Sequence, residues 1–296
     1  MMRRSIKMDL CKFCGSTEGK SYSSVDKMHA VKCDTTIFTH FRCKECGSIS
    51  IQKIPDNLGA YYNAYQLHNS WKPGVAIGPY KRMYALSMIK EFGLTEKDRV
   101  VDYGCADLQV CLVLYEHGIG QDQKDIRGFD RFADPISVEG IIMQNTVPTD
   151  RTFTFLHASH VFEHSVNSKE TLQEMSDMLC KGGRALIIYP NPEAIHFDLF
   201  GENTLQLDAP RHTYMPSTRI VKQLAAETGF EVENVIQRGG TFPLAGSLAY
   251  RDGLQFNQIH EWAEKNKALA QGLPGAELLF NHLGIGSELT VILKKV

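Results

Sequence analysis

The sequence predicts an α/β protein, an open and mostly parallel sheet with a small β-rich module in front of it. Three observations predict it. Val100-Val101-Asp102-Tyr103 is a short apolar strand that runs into an acidic, small-residue turn, Gly104-Cys105-Ala106-Asp107, and then a helix. About twenty residues on, Ile126-Arg127-Gly128-Phe129-Asp130 is a second strand that ends on an acid. Two CxxC pairs near the amino end, Cys11-x-x-Cys14 and Cys43-x-x-Cys46, mark the module. A strand, a tight turn and a downstream carboxylate at that distance are the parts of a nucleotide site on an open sheet. The turn brings backbone N–H groups close to the ligand, and the carboxylate accepts hydrogen bonds from both ribose hydroxyls.

Residues 1–54 form the predicted module. Each CxxC is followed by glycine, Gly15 and Gly47, which lets the backbone turn so that N–H groups face the thiolate sulfurs. Four thiolates around one metal make the closed tetrahedral site of structural zinc. The 28 residues between the pairs exceed the usual spacing of about 15–20. A β-rich loop fills that space, with strand-forming residues over 22–32 and 36–42. Cys33 and His29 lie inside it as substitute ligands. Neither CxxC opens a helix after a strand, so a redox motif is not expected.

Residues 55–97 form a bridge. Tyr61, Tyr62, Tyr65, His68, Trp71 and Tyr80 give it rings with polar tips, suited either to stacking over a pocket or to gluing the module down. A helix over 79–90 is expected to bury Tyr80, Met83, Leu86 and Ile89 on one face. The main domain, 98–296, continues with a strand from Phe153 that breaks into His160-Val161-Phe162-Glu163-His164. A helix follows over 169–179, with Leu172, Met175, Met178 and Leu179 apolar, and Lys181-Gly182-Gly183 is its stop. The next strand, 184–189, closes in Pro190-Asn191-Pro192, and a last strand lies near 288–294. An insertion near 240–287 carries a helix over 256–270.

At 296 residues, with 43% hydrophobic and 22% charged residues, the chain is ordinary for a globular protein. A net charge of −2 gives no electrostatic footprint for nucleic acid. No run approaches the roughly 18 apolar residues of a membrane span. No apolar run follows the basic start, so a secretory signal is not expected. The chain is expected in the cytoplasm, with its eight cysteines reduced.

The two strand-end motifs resemble those of the class I S-adenosylmethionine-dependent methyltransferases, whose usual turn is acid-x-Gly-x-Gly-x-Gly. Gly104 stands at the first glycine, Ala106 and Leu108 at the second and third. The order of strand, His-Val-Phe-Glu-His, helix, Lys-Gly-Gly, strand, Pro-Asn-Pro is similar to a large family found in glycan and natural-product pathways. Asp208-Ala209-Pro210-Arg211-His212-Thr213-Tyr214 and Thr228-Gly229-Phe230 extend the likeness to about residues 98–237. The resemblance implies a Rossmann-like, seven-stranded methyltransferase sheet. It implies S-adenosylmethionine as cofactor, with Asp130 on the ribose and Gly104, Cys105 and Ala106 beside the methionine moiety. Asp102 would serve the amino group, and Ser159 and His160 the far side of the cofactor. In the resembling family a similar zinc module precedes the catalytic domain, which points to packing or covering the substrate site.

Methyl transfer to a hydroxyl or carbon also requires removal of a proton, a task that suits histidine. His212 is the expected base and His160 the next candidate, with His196 and His164 also weighed. Glu163 would orient a ring or cap the following helix, and Asn191 would face the acceptor or form a turn. The expected acceptor is a small metabolite, in the first place a sugar nucleotide. Two competing readings stand beside this one. Lys7, Lys12, Lys20, Lys27, Lys32, Arg42 and Lys44 would let the zinc module grip RNA. A Leu108 side chain crowding the cofactor would instead leave a non-catalytic binding protein.

Overall fold

The computed structural model describes residues 9–28, 34–62, 76–149 and 151–296. In the N-terminal module β1 (Gly19–Ser24), β2 (Phe38–Cys43) and β3 (Ile49–Ile51) pair antiparallel in chain order. The fourth strand of that sheet comes from far along the chain, where Tyr214–Met215 pairs with Ser50 and Ile49.

The main sheet is built from β4 (Val100–Tyr103), β5 (Ile126–Phe129), β6 (Ile136–Val138), β7 (Ile141–Gln144), β8 (Phe153–Ser159) and β9 (Leu179–Pro190). The two residues of β10 (Tyr214–Met215) belong to the module's sheet, and β11 (Phe230–Arg238) and β12 (Glu288–Lys295) complete the main one. Its order is β11-β12-β9-β8-β4-β5-β7-β6. The inner pairs β9–β8, β8–β4, β4–β5 and β5–β7 are parallel, while β12 enters antiparallel between β9 and β11. All four β4 residues are buried, as a central parallel strand covered on both faces requires. The helices are α1 (Pro79–Phe92), α2 (Gln109–Glu116), α3 (Ser168–Met178), α4 (His196–Phe200), α5 (Thr218–Glu227), α6 (Thr241–Arg251), α7 (Ile259–Lys265) and α8 (Lys267–His282). One apolar layer joins α3 and α5 to the sheet and a second joins α1 and α2 to its other face. The insertion folds as α6–α8 around its own cluster of Leu248, Tyr250, Ile259, Trp262 and Leu273.

The expected seven strands are present, and β6 adds an eighth at the edge. A doubly wound sheet places a helix between β5 and its next parallel neighbour, but here the chain returns through the β6–β7 hairpin. Pro135 and Gly140 interrupt so short a connection, and Glu139 and Gly140 take φ of 52° and 84°, the pair of positive values that a tight hairpin turn needs. The expected stop of α3 at Lys181-Gly182-Gly183 is also corrected. The helix ends at Met178, Leu179 is already extended, and Gly182 lies within β9 where the register against β8 shifts. On α1 the buried residues are Ala85 and Met88, whereas Tyr80 and Met83 are 73% and 67% exposed. Of the face expected to be core, Ile89 packs against the apolar layer, Tyr80 borders the cavity described next, and Met83 and Leu86 meet solvent. Among the described residues no helix is long and apolar enough to cross a membrane.

Candidate functional site

Two CxxC knuckles converge. Gly15 and Gly47 both hold φ at 76°, and their N–H groups donate to the carbonyls of Cys11 and Cys43 at 3.0 Å. The turns bring Cys11 Sγ to 3.4 Å from Cys46 Sγ and Cys14 Sγ to 3.5 Å from Cys43 Sγ. All four ligand atoms lie within 4.8 Å of one another. Metal–sulfur bonds of about 2.3 Å place tetrahedral sulfurs about 3.8 Å apart, so the donor set fits a closed four-thiolate site. Hydrogen bonds from Cys11 and Ser48 favour the Cys46 thiolate against the opposing effect of burial. Cys33 and His29 lie outside the described residues, as do Tyr65, His68 and Trp71. Of the expected RNA-gripping cations, Arg42 is paired with Asp198 at 2.7 Å and Lys27 reaches Asn203 at 2.6 Å. Lys7 and Lys32 lie outside the described residues.

The neighbours of β4 lead away in opposite directions along the chain, and open α/β sheets bind ligands at such a reversal, beyond the carboxyl strand ends. A cavity of about 1100 Å³ opens there. The residues expected to bind the cofactor line it, as do His212, His160, His164 and Glu163. Ala106 takes a left-handed φ of 51°, the backbone a glycine would supply, and its N–H donates to Asp130 Oδ2 at 2.8 Å. Asp130 Oδ1 accepts from Phe132 and Ala133 N–H at 2.9 and 3.2 Å. The carboxylate is thereby fixed at the end of β5, and each oxygen retains capacity for a hydroxyl donor. Leu108, which on the competing reading would crowd the cofactor, is fully buried and does not line the cavity. It packs on Gly128, where an added Cβ would meet Leu108 Cδ2 at 2.8 Å and Cys105 Sγ at 2.7 Å. These residues fit a nucleoside cofactor along this wall.

One polar chain escaped the sequence reading. His157 Nδ1 lies 2.7 Å from Asp102 Oδ1, and His157 Nε2 lies 2.7 Å from Tyr84 Oη. Asp102 and His157 are register partners on adjacent strands. Polar residues at one level of two central strands were the available signal.

At the other end, Glu163 is fully buried and forms a hub. Its Oε1 lies 3.3 Å from His160 Nδ1 and 3.8 Å from His212 Nε2. Its Oε2 has no hydrogen-bond partner among the described residues. Glu163 does not cap α3, since Asn167 does so by accepting from Glu170 N–H. The three histidines differ sharply. Partial desolvation pushes the half-exposed His160 down, but the carboxylates of Glu163 and Glu288, each 3.3 Å from a ring nitrogen, outweigh it and raise its pKa to about 10. It is therefore a cation at neutral pH. Burial and the neighbouring His212 lower His164 to about 4, so it stays neutral and a weak base. His212 Nδ1 lies 2.8 Å from Gln206 O. A carbonyl only accepts, so in the neutral ring Nδ1 carries the proton and Nε2 the lone pair. That Nε2 faces Glu163 and Asp208.

The backbone of His212 is held from the module. His40 Nε2 donates to His212 O at 2.8 Å and Ile51 N–H to Thr213 O at 2.9 Å. Asp208 and Asp26 both accept from the buried Arg211 guanidinium. His196 is corrected: it is buried outside the cavity, 3.3 Å from Glu277. Asn191 is a turn former, donating to Gly286 O and accepting from Glu193 N–H. His40 and Tyr84 carried no motif and were missed as parts of the site, while Asp208 and Arg211 stood in a quoted motif without a role of their own.

This strand order, with a cavity over the carboxyl ends of β4, β5 and β8, defines an α/β methyltransferase fold. A family model described as "Methyltransferase domain" matches residues 80–235, and the chain belongs to that family. A SAM-dependent methyltransferase from Archaeoglobus fulgidus is similar in structure, with a TM-score of 0.44 and 16% identity over 73% of this chain and 94% of that one. A geranyl diphosphate C-methyltransferase from Streptomyces coelicolor A3(2), in complex with Mg2+, geranyl diphosphate and S-adenosyl-L-homocysteine, has a TM-score of 0.46 and 13% identity, over 72% and 77%. No curated protein matches the chain.

Proposed function

We propose that the protein transfers a methyl group from S-adenosylmethionine to a hydroxyl or carbon of a small metabolite, a sugar nucleotide in the first place, with His212 as the base. The observation that carries this reading is the fixed ring of His212 in the cavity wall, whose Nδ1–H is spent on Gln206 O while Nε2 is directed towards Glu163 and Asp208. His160, held as a cation, and His164, held neutral at low basicity, are poorly suited to the same task. Bound S-adenosylmethionine supplies an electrophilic methyl on a sulfonium. Asp130 and the Gly104–Ala106 turn would hold it. As the acceptor oxygen or carbon takes the methyl group, its proton passes to His212 Nε2, and Glu163 and Asp208 meet the charge that forms on the ring. Orientation of the acceptor behind the methyl group supplies much of the remaining acceleration.

The cavity, at about 1100 Å³, exceeds the roughly 300–1,000 Å³ of a single drug-sized ligand, which supports cofactor and acceptor side by side. Tyr62 and Phe132 stack at its rim, ring centroids 5.8 Å apart and 10° from parallel, an apolar platform suited to a sugar face. Zinc in the four-cysteine site, as a structural ion, and a reducing, cytoplasmic setting complete the reading.

The test is a screen of sugar nucleotides for formation of S-adenosylhomocysteine, followed by His212→Ala. The variant should bind S-adenosylhomocysteine with unchanged affinity, and its turnover should fall about 10²–10⁴-fold. Unchanged turnover would remove His212 from the role.

A further inference from the structure

We propose that Tyr84 and His157, with Asp102, form a hydrogen-bonded chain that receives the cationic amino end of the cofactor, with Tyr84 Oη as the direct acceptor. The inference rests on the S-adenosylmethionine reading and adds two residues to its site.

The polarity of the chain follows from its members. An ionised Asp102 only accepts, so His157 Nδ1–H donates to Oδ1. The other nitrogen of a neutral ring then has only a lone pair, and Tyr84 O–H donates to His157 Nε2. The Tyr84 proton is thereby turned away from the ligand space, and the oxygen lone pairs remain for a donor. The chain is well sheltered: Asp102 and His157 are 4% and 3% exposed, and the Tyr84 and His157 rings pack with centroids 5.5 Å apart. Burial and the negative charge of Asp102 push the Tyr84 hydroxyl up, so it remains a neutral acceptor.

The surroundings favour positive charge. Asp102 and Glu288 both bear electrostatically on the Tyr84 oxygen, and Ser159 is a further polar neighbour. All five residues line the same cavity. A hydrogen-bond acceptor with a preset direction, beside the carboxylate of Asp102 on β4 and that of Glu288, which His160 shares at 3.3 Å, is a receptor for an ammonium group rather than for an anion. Tyr84 is contributed by α1 and His157 by β8, so the amino group would tie that helix to the sheet.

The experiment is calorimetric titration of the wild type, Tyr84→Phe and His157→Phe. The two probes are S-adenosylhomocysteine and its analogue lacking the amino group. The wild type should prefer S-adenosylhomocysteine. Tyr84→Phe, a conservative change that keeps the ring, should lose about tenfold in affinity for it and bind the deaminated probe as the wild type does. His157→Phe should narrow the preference in the same way. Equal losses on both probes, or a wild type that does not discriminate between them, would overturn the proposal while leaving the cofactor reading intact. A wild type that binds neither probe would overturn both.

Discussion

Ala106 holds a left-handed backbone, φ 51°, that an L-residue occupies at a cost of about 1–2 kcal/mol. Its N–H is aimed at Asp130 Oδ2, so the strain serves the geometry of the cofactor turn. Glycine would relieve the strain and lose roughly 0.4–1 kcal/mol through the freer unfolded chain. Ala106→Gly should therefore stabilise the protein by about 0.5–1 kcal/mol, read as a higher denaturant midpoint with unchanged slope. A lower midpoint would show that the methyl group makes packing contacts worth more than the strain. At this scale the sequence showed which residues depart from the glycine pattern, but not where their side chains go. Leu108 stands one step beyond a turn, and only the close approach of Gly128 on the neighbouring strand reveals that it points into the core. His160 and His212 were legible as candidates by position. Their difference comes from partners at 163, 206 and 288 that no local pattern connects.

The elements follow the sequence most faithfully where periodicity and flanking residues agree. Strands β4, β5, β8 and β12 and helix α3 stand close to their expected places, because apolar alternation or a buried stripe is bounded by turn chemistry. The β6–β7 hairpin was not legible, since it fills a place where this architecture normally has a helix. The end of α3 lies within a residue of its expected place, but its stop signal was misread, because Gly182, a helix stop by composition, serves a strand irregularity instead. At the metal knuckles the reading from spacing alone met a compact cluster, and its consequence is measurable. Elemental analysis should find about one zinc per chain, and Cys43→Ser should lose the metal and become poorly soluble, since a structural site contributes directly to folding. Full zinc occupancy in that variant would remove the four-cysteine site.

Across the whole molecule, the module and the sheet are joined by a buried ion network. Arg211 binds Asp208 beside it in the main domain and Asp26 in the module. Burial pushes Asp208 up, yet Arg211 and His212 prevail and hold it at about 2, below the unfolded value of about 3.9. A depressed folded pKa contributes stability that is fully present above the unfolded value and lost as pH falls through the folded one. The acid limb between about pH 4 and pH 2 should therefore steepen on this residue. Asp208→Asn should flatten that limb and cost about 3 kcal/mol near neutrality, because Arg211 keeps its charge and loses a partner. A limb of unchanged shape in denaturation across that range would assign the acid sensitivity elsewhere. The shared strand β10 carries a different kind of consequence. Tyr214 and Met215 give the module's sheet its last edge, while Thr213 N–H beside them donates to the carbonyl of Glu163. Inheritance of the two halves is thereby linked. A chimaera that took its amino-terminal fifty residues from another lineage would have to recover the strand match at 214–215, so recombination should exchange these parts together or not at all.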